Sequence, residues 1–203
     1  MCSPPDLGKV EIIGAAGKAV LVSRPTRIGR SICPRTWTEE NMAKAKRAVP
    51  EGYHTVTPSL VQDDTAKAID WYKRALGAQE ITRAVGDDGK VMHAEIQIGD
   101  SRVMMNDAMM GAKGPKEMGG SPAGLWLFVE DCDAYFNRAV AAGATPIMPL
   151  GDMFWGDRFG GVLDPFGYRW SFATRKHDLT PDEMQKRQKE WEKEMAAQMG
   201  GKK

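Results

Sequence analysis

The chain states one supersecondary unit twice. Trp71-Tyr72-Lys73-Arg74-Ala75-Leu76-Gly77-Ala78 returns as Tyr135-Phe136-Asn137-Arg138-Ala139-Val140-Ala141-Ala142-Gly143-Ala144. Each copy follows a short apolar run that ends in acids, Leu60-Val61-Gln62-Asp63-Asp64 before the first and Phe128-Val129-Glu130-Asp131 before the second. This order predicts a strand, an acidic helix start, a helix and a glycine stop. A sequence built this way is constrained to a duplicated fold, so the segments after each helix should repeat too.

The pattern beyond the helices agrees. In the first copy, residues 53–61 predict a strand and 64–76 a helix with Ala68, Ile69, Tyr72 and Leu76 on one face. Residues 79–84 predict a strand, and Gly86-Asp87-Asp88-Gly89 a turn. Residues 91–98 and 101–107 alternate about Gly99-Asp100 as a hairpin. A Gly- and Met-rich connector, 108–122, leads to a strand at 124–129, a helix at 131–142 and a strand at 145–149. A last hairpin, 158–163 with 168–174, closes on Asp164-Pro165-Phe166-Gly167. The expected fold is α+β: module 53–107 and module 123–175, each βαβββ, in one domain over 53–175.

Two segments flank it. Thr180-Pro181-Asp182-Glu183 is a capping box that opens a C-terminal amphipathic helix over 180–199. Its stripe of Met184, Trp191, Met195 and Met199 should cover its own domain or a partner subunit, and Glu183 stands four residues before Arg187 for helical pairing. Residues 1–41 share no period with the rest and hold Arg24, Arg27, Arg30 and Arg35 with no acid between the first and last of them. They read as a disordered N-terminal extension, and Met42-Ala43-Lys44-Ala45-Lys46 has the look of a natural translation start.

Charge and cysteine content exclude some classes. The net charge is +1 and no segment gathers one-sided basic charge of the kind phosphate binding needs, which argues against nucleic-acid and membrane-surface partners. Cys2, Cys33 and Cys132 form no Cys-x-x-Cys pair, so neither a disulfide framework nor a structural zinc is expected. No apolar run approaches the roughly 20 residues of a membrane span, and no secretory signal opens the chain. It reads as cytoplasmic, with a small molecule as partner.

Strand alternation sorts the faces. Ala94, Ile96, Ile98, Val103 and Met105 should face a helix, which leaves His93, Glu95, Gln97, Arg102, Met104 and Asn106 on the opposite surface. In the second module Leu125, Leu127, Val129, Trp170 and Phe172 should face the helix. Gly124, Trp126, Phe128, Arg169, Ser171 and Ala173 then lie opposite, with Arg158 joining them. A cavity polar on one wall and aromatic on the other suits a small organic molecule. His93 and Glu95, roughly 6.6 Å apart along one strand, are the catalytic candidates: His93 as acid or base, Glu95 orienting it or acting as base. The plainer alternative is polar cross-strand pairing, His93 with Asn106. Trp126 and Phe128 either stack a planar ligand or simply pack. Arg158 and Arg169 either clamp an anion or pair with Asp157 and Asp164. Trp155 is a loop aromatic at the pocket mouth or packs under the terminal helix. His54 and His177 read as structural or exposed.

The two βαβββ modules, the glycine after each helix and Asp164-Pro165-Phe166-Gly167-Tyr168 resemble the vicinal oxygen chelate superfamily of glyoxalase I, bleomycin-resistance proteins and extradiol dioxygenases. Met92-His93-Ala94-Glu95-Ile96-Gln97-Ile98-Gly99-Asp100-Ser101, Trp155-Gly156-Asp157-Arg158 and Asp164 through Trp170 are similar to its PhnB-like branch. The resemblance implies that each module curls into a half-barrel and that a divalent metal takes ligands from the first and last strands of each. The matching positions are Thr57, Met104, Gly124 and Ser171. None offers an imidazole or carboxylate, so neither the usual metal nor another cofactor is expected. The implied function is capture of a small molecule by a homodimer, at a site lined by Thr57, Met104, Asn106, Trp126, Phe128, Trp155, Arg158 and Ser171. The alternatives are a metal-dependent lyase, isomerase or dioxygenase with ligands relocated to His93, Glu95 and His54, and a dimeric scaffold with a vestigial pocket.

Overall fold

The computed structural model describes residues 12–13, 19–20 and 44–200. In the N-terminal unit, β1 (Ile12–Ile13) and β2 (Ala19–Val20) pair antiparallel. The remainder of the expected extension, 1–41, lies outside the described residues.

The first module runs β3 (Ser59–Gln62), α1 (Thr65–Leu76), β4 (Gln79–Val85), β5 (Val91–Ile98), β6 (Ser101–Asp107). A short α2 (Pro115–Met118) interrupts the connector, and the second module runs β7 (Gly124–Phe128), α3 (Cys132–Ala141), β8 (Thr145–Asp152), β9 (Asp157–Leu163), β10 (Arg169–Arg175), followed by α4 (Pro181–Gly200). The two four-stranded sheets have the same topology, β3-β6-β5-β4 and β7-β10-β9-β8, with first and last strands parallel in each. The duplication read from the helices therefore extends to the sheets. None of the helices in the described residues is long and apolar enough to cross a membrane.

Local chemistry sets the helix ends. The Asp64 side chain accepts from Lys67 N at 3.0 Å and Asp131 from Ala134 N at 2.9 Å, each satisfying a free N–H of the first turn. Gly77, at φ 69°, turns α1 off in the left-handed conformation that a Cβ would disfavour. The capping box of α4 also forms, Thr180 N donating to Glu183 Oε2 at 2.8 Å. Glu183 is thus engaged by Thr180, and among the described residues it makes no direct ion pair with Arg187, whose charge acts on it at longer range.

The first strand starts later than expected. Pro58 has no N–H to give to a ladder, and pairing begins at Ser59, opposite Met104. Thr57 stands ahead of the strand, its hydroxyl donating to His54 O at 3.1 Å.

The helix-facing residues are as expected: Ala94, Ile96, Ile98, Val103, Met105, Trp170 and Phe172 are buried, and Leu125, Leu127 and Val129 pack against them. The two helices meet across the junction between modules, where Trp71 Nε1 donates to Ala142 O at 2.8 Å and Arg138 Nε to Ala75 O at 2.7 Å. At its centre Asp164, 4% exposed, takes four donors. Tyr72 OH and Trp170 Nε1 reach Oδ2 at 2.8 Å each, and the N–H groups of Phe166 and Tyr168 reach Oδ1 at 2.9 and 2.8 Å. Burial pushes this carboxyl above the usual carboxylate range while the donors pull it back. Tyr168 OH also crosses to Val61 O at 2.8 Å. The helix-bearing faces of the sheets are thus turned toward one another, and the opposite faces look outward.

Candidate functional site

The outward face of the first sheet carries a polar cluster. His93 Nε2 lies 3.0 Å from Glu95 Oε1, and Arg102 Nη1 lies 3.5 Å from Glu95 Oε2. Chain ahead of β3 folds back over them: the Tyr53 side chain comes up against Glu95, and the Arg102 guanidinium sits over the Tyr53 ring, 5.6 Å from its centre. The neighbouring Tyr53 hydroxyl, then the hydrogen bond of His93 and the charge of Arg102, outweigh the opposing effect of burial and hold the Glu95 carboxyl below its usual range. Glu95 therefore stands ionised at neutral pH beside His93, an arrangement able to orient an imidazole for proton transfer. The expected His93–Asn106 pair is absent, since His93 engages Glu95 and Asn106 Nδ2 donates to Asp107 O at 2.9 Å. Met104 lies opposite Glu95 on the same face. Tyr53, expected in the first strand, is free to join this cluster because that strand starts only at Ser59.

The outward face of the second sheet is aromatic. Trp126 stacks on Phe159 with centroids 4.6 Å apart and planes at 19°, and lies 6.1 Å from Phe128 and 6.5 Å from Trp155. Trp126 is 46% and Phe128 64% exposed. Register explains the grouping: Ser171 lies opposite both Trp126 and Gly161, and Ala173 opposite both Phe128 and Phe159. Phe159, not singled out from the sequence, belongs to this face by that pairing. Trp155 is held by Nε1 donating to Asp157 Oδ2 at 2.9 Å.

Arg158 does not join that face. It lies opposite Thr174, whose hydroxyl bonds the start of α3, and its guanidinium donates to Asp133 Oδ1 at 2.7 Å and Asp152 Oδ1 at 3.3 Å. One residue from Phe159, it must point the other way. Its partners are Asp133 and Asp152 instead of Asp157, and it serves to tie α3 to β8 and β9.

Among the described residues, no hydrogen bond or aromatic contact joins the polar and aromatic sets. Among the described residues, the hydrogen bonds that join the modules come from Trp71, Tyr72, Arg138 and Tyr168, on the helix side. The two candidate half-sites look outward from opposite sides of that junction. As for a metal, Met104, Gly124 and Ser171 supply no strong donor and Thr57 lies outside its strand. No group of three or more His, Cys, Asp or Glu side chains among the described residues is placed to hold an ion. Arg102 already lies against Glu95. The donor set does not fit the superfamily's divalent metal.

Residues 53–172 match the family model described as the Glyoxalase/Bleomycin resistance protein/Dioxygenase superfamily. The chain belongs to this superfamily. Among relatives of this superfamily member, the uncharacterized protein Mb0911c of Mycobacterium bovis is 45% identical over 135 residues, 64% of this chain and 89% of that protein. Protein YjdN of Escherichia coli is 29% identical over 138 residues, 56% of this chain and 89% of its own. The X-ray structure of an Arabidopsis thaliana gene product is similar with a TM-score of 0.50 at 26% identity, covering 60% of this chain and 98% of that one. The superfamily match ends before α4.

Proposed function

We propose that this superfamily member captures a small planar organic molecule, without a metal, in a cavity closed between two copies of the chain. The polar face of one copy's first module and the aromatic face of the other's second module would form its walls. The observation that supports this reading most is the aromatic stack around Trp126, whose large rings Trp126 and Phe128 are exposed on the outward face of the second sheet. Exposed apolar area of this kind marks a binding surface. Acid–base chemistry on the captured molecule is the second reading, favoured by the hydrogen bond of His93 to Glu95.

The test is titration of the full chain with a panel of planar aromatic bases, from quinoline to acridine, read by tryptophan fluorescence and by proton NMR of the probe. Saturable quenching is expected for at least one of them, weakened about tenfold or more by Trp126→Ala, as for a buried aromatic anchor. No saturable binding across the panel, or binding indifferent to Trp126, would contradict capture at this face. A product signal that grows with time would favour the second reading over simple capture.

A further inference from the structure

A cleft lies where the chain leaves the span matched by the superfamily model. After β10 the chain turns back over the loop between β8 and β9 and then enters α4. The turn is well anchored: Lys176 N and His177 N both donate to Gly156 O at 3.0 Å, and Arg175 Nη1 donates to Trp155 O at 3.2 Å. Gly156 has φ 95°, and a Cβ on it would stand 2.5 Å from His177 O, so the close approach requires glycine. Between this turn and α4 lies a cavity of about 480 Å³, to which Asp152, Asp157, Arg158, Lys176, His177 and Arg187 contribute.

Its charges are unevenly paired: the acids have direct partners, whereas some of the cations do not. Asp152 is taken by Arg158, and Asp157, 3% exposed, by Arg175 Nε at 3.1 Å and by Trp155. Arg158 is likewise engaged, by Asp133 as well as Asp152. Glu183, one turn before Arg187, accepts from the N–H and hydroxyl of Thr180 at 2.8 Å each. That leaves Lys176 and Arg187, neither in an ion pair among the described residues, and the His177 imidazole, from two different segments around one cavity. Lys176 and Arg187 act on Asp133 and Glu183 only at longer range, so their side-chain N–H donors, which make no hydrogen bond among the described residues, are free for an anion that enters the cavity. Trp191, one turn beyond Arg187, meets Phe154 at 5.6 Å and provides an aromatic ledge on the same helix.

We propose that this cleft binds a small oxyanion, phosphate or carboxylate, on Lys176, Arg187 and His177, at a site distinct from both outward sheet faces. Calorimetric titration of the full chain at low ionic strength, with inorganic phosphate and separately with benzoate, tests it. Saturable one-site binding of at least one anion is expected, weakened about tenfold by Arg187→Gln or Lys176→Gln, the loss typical of a hydrogen bond to a charged group. Both positions are exposed, and circular dichroism verifies that the fold is kept. Lys189→Gln, the same charge change on the same helix, should leave binding intact. Phosphate without benzoate identifies a phosphorylated ligand, and the reverse a carboxylate. Saturation by neither anion, or equal weakening by Lys189→Gln, overturns the site in favour of general screening of positive charge.

Discussion

Asp164→Ala lowers the unfolding free energy by about 3 kcal/mol or more, since each buried donor left without an acceptor costs about 1–3 kcal/mol. The substitution orphans Tyr72 OH and Trp170 Nε1, both deeply buried, and releases the two N–H groups that hold the turn of the last hairpin. Asp164→Asn should cost less. It keeps one oxygen for the backbone donors, and its amide can donate to Tyr72 OH, although Trp170 Nε1 loses its acceptor. Because Tyr72 belongs to the first module and Asp164 to the second, both modules should lose stability together, in one urea transition followed by tryptophan fluorescence and circular dichroism alike. A loss below about 0.5 kcal/mol, the scale of an exposed position, would contradict the assignment of Asp164 as the pin between modules.

Gly156→Ala has the second large effect, and a local one. A Cβ there meets the carbonyl of His177 at 2.5 Å and Leu179 Cγ at 3.3 Å, at a φ of 95° that side chains rarely adopt. Strain of this kind costs about 1–3 kcal/mol, and the turn leading to α4 can escape it by lifting off. The expected result is a lower Tm together with faster proteolysis between 175 and 180, with the sheets still folded. Unchanged cleavage there would show that the turn is not packed as described.

What the sequence made legible follows from how local each signal is. The helix starts at Asp64 and Asp131, the stop at Gly77, the hairpin at Gly99-Asp100 and the capping box at Thr180 all rest on neighbours a few residues apart, and the structure has them where the residues put them. The facing of Trp126 against Leu125 and Leu127 likewise needs only alternation. The start of β3 was missed because a proline's missing N–H outweighed the β-favouring residues before it, and with it went the placement of Thr57 and Tyr53. The facing of Arg158 depends on the β9–β10 register, which sets Phe159 beside Trp126 and Arg158 behind it, and that register joins residues too far apart for local signals to show. The opposite outlook of the two half-sites was not readable at all. Alternation tells which side of a sheet a residue takes, whereas the relation between sheets depends on contacts such as Tyr72 to Asp164, 92 residues apart.

The claim that the cavity is completed by a second copy has a direct test. Two full-length variants are prepared with Cys2, Cys33 and Cys132 replaced by serine and carrying tags of different length, one with His93→Cys and one with Phe128→Cys. They are mixed and treated with a short bifunctional thiol reagent. If the polar face of one copy meets the aromatic face of another, mixed dimers link His93→Cys to Phe128→Cys, and a doubly substituted chain links between copies and not within itself. A dimer that sediments as such yet gives no mixed product, or a single chain that links internally, would contradict the shared cavity.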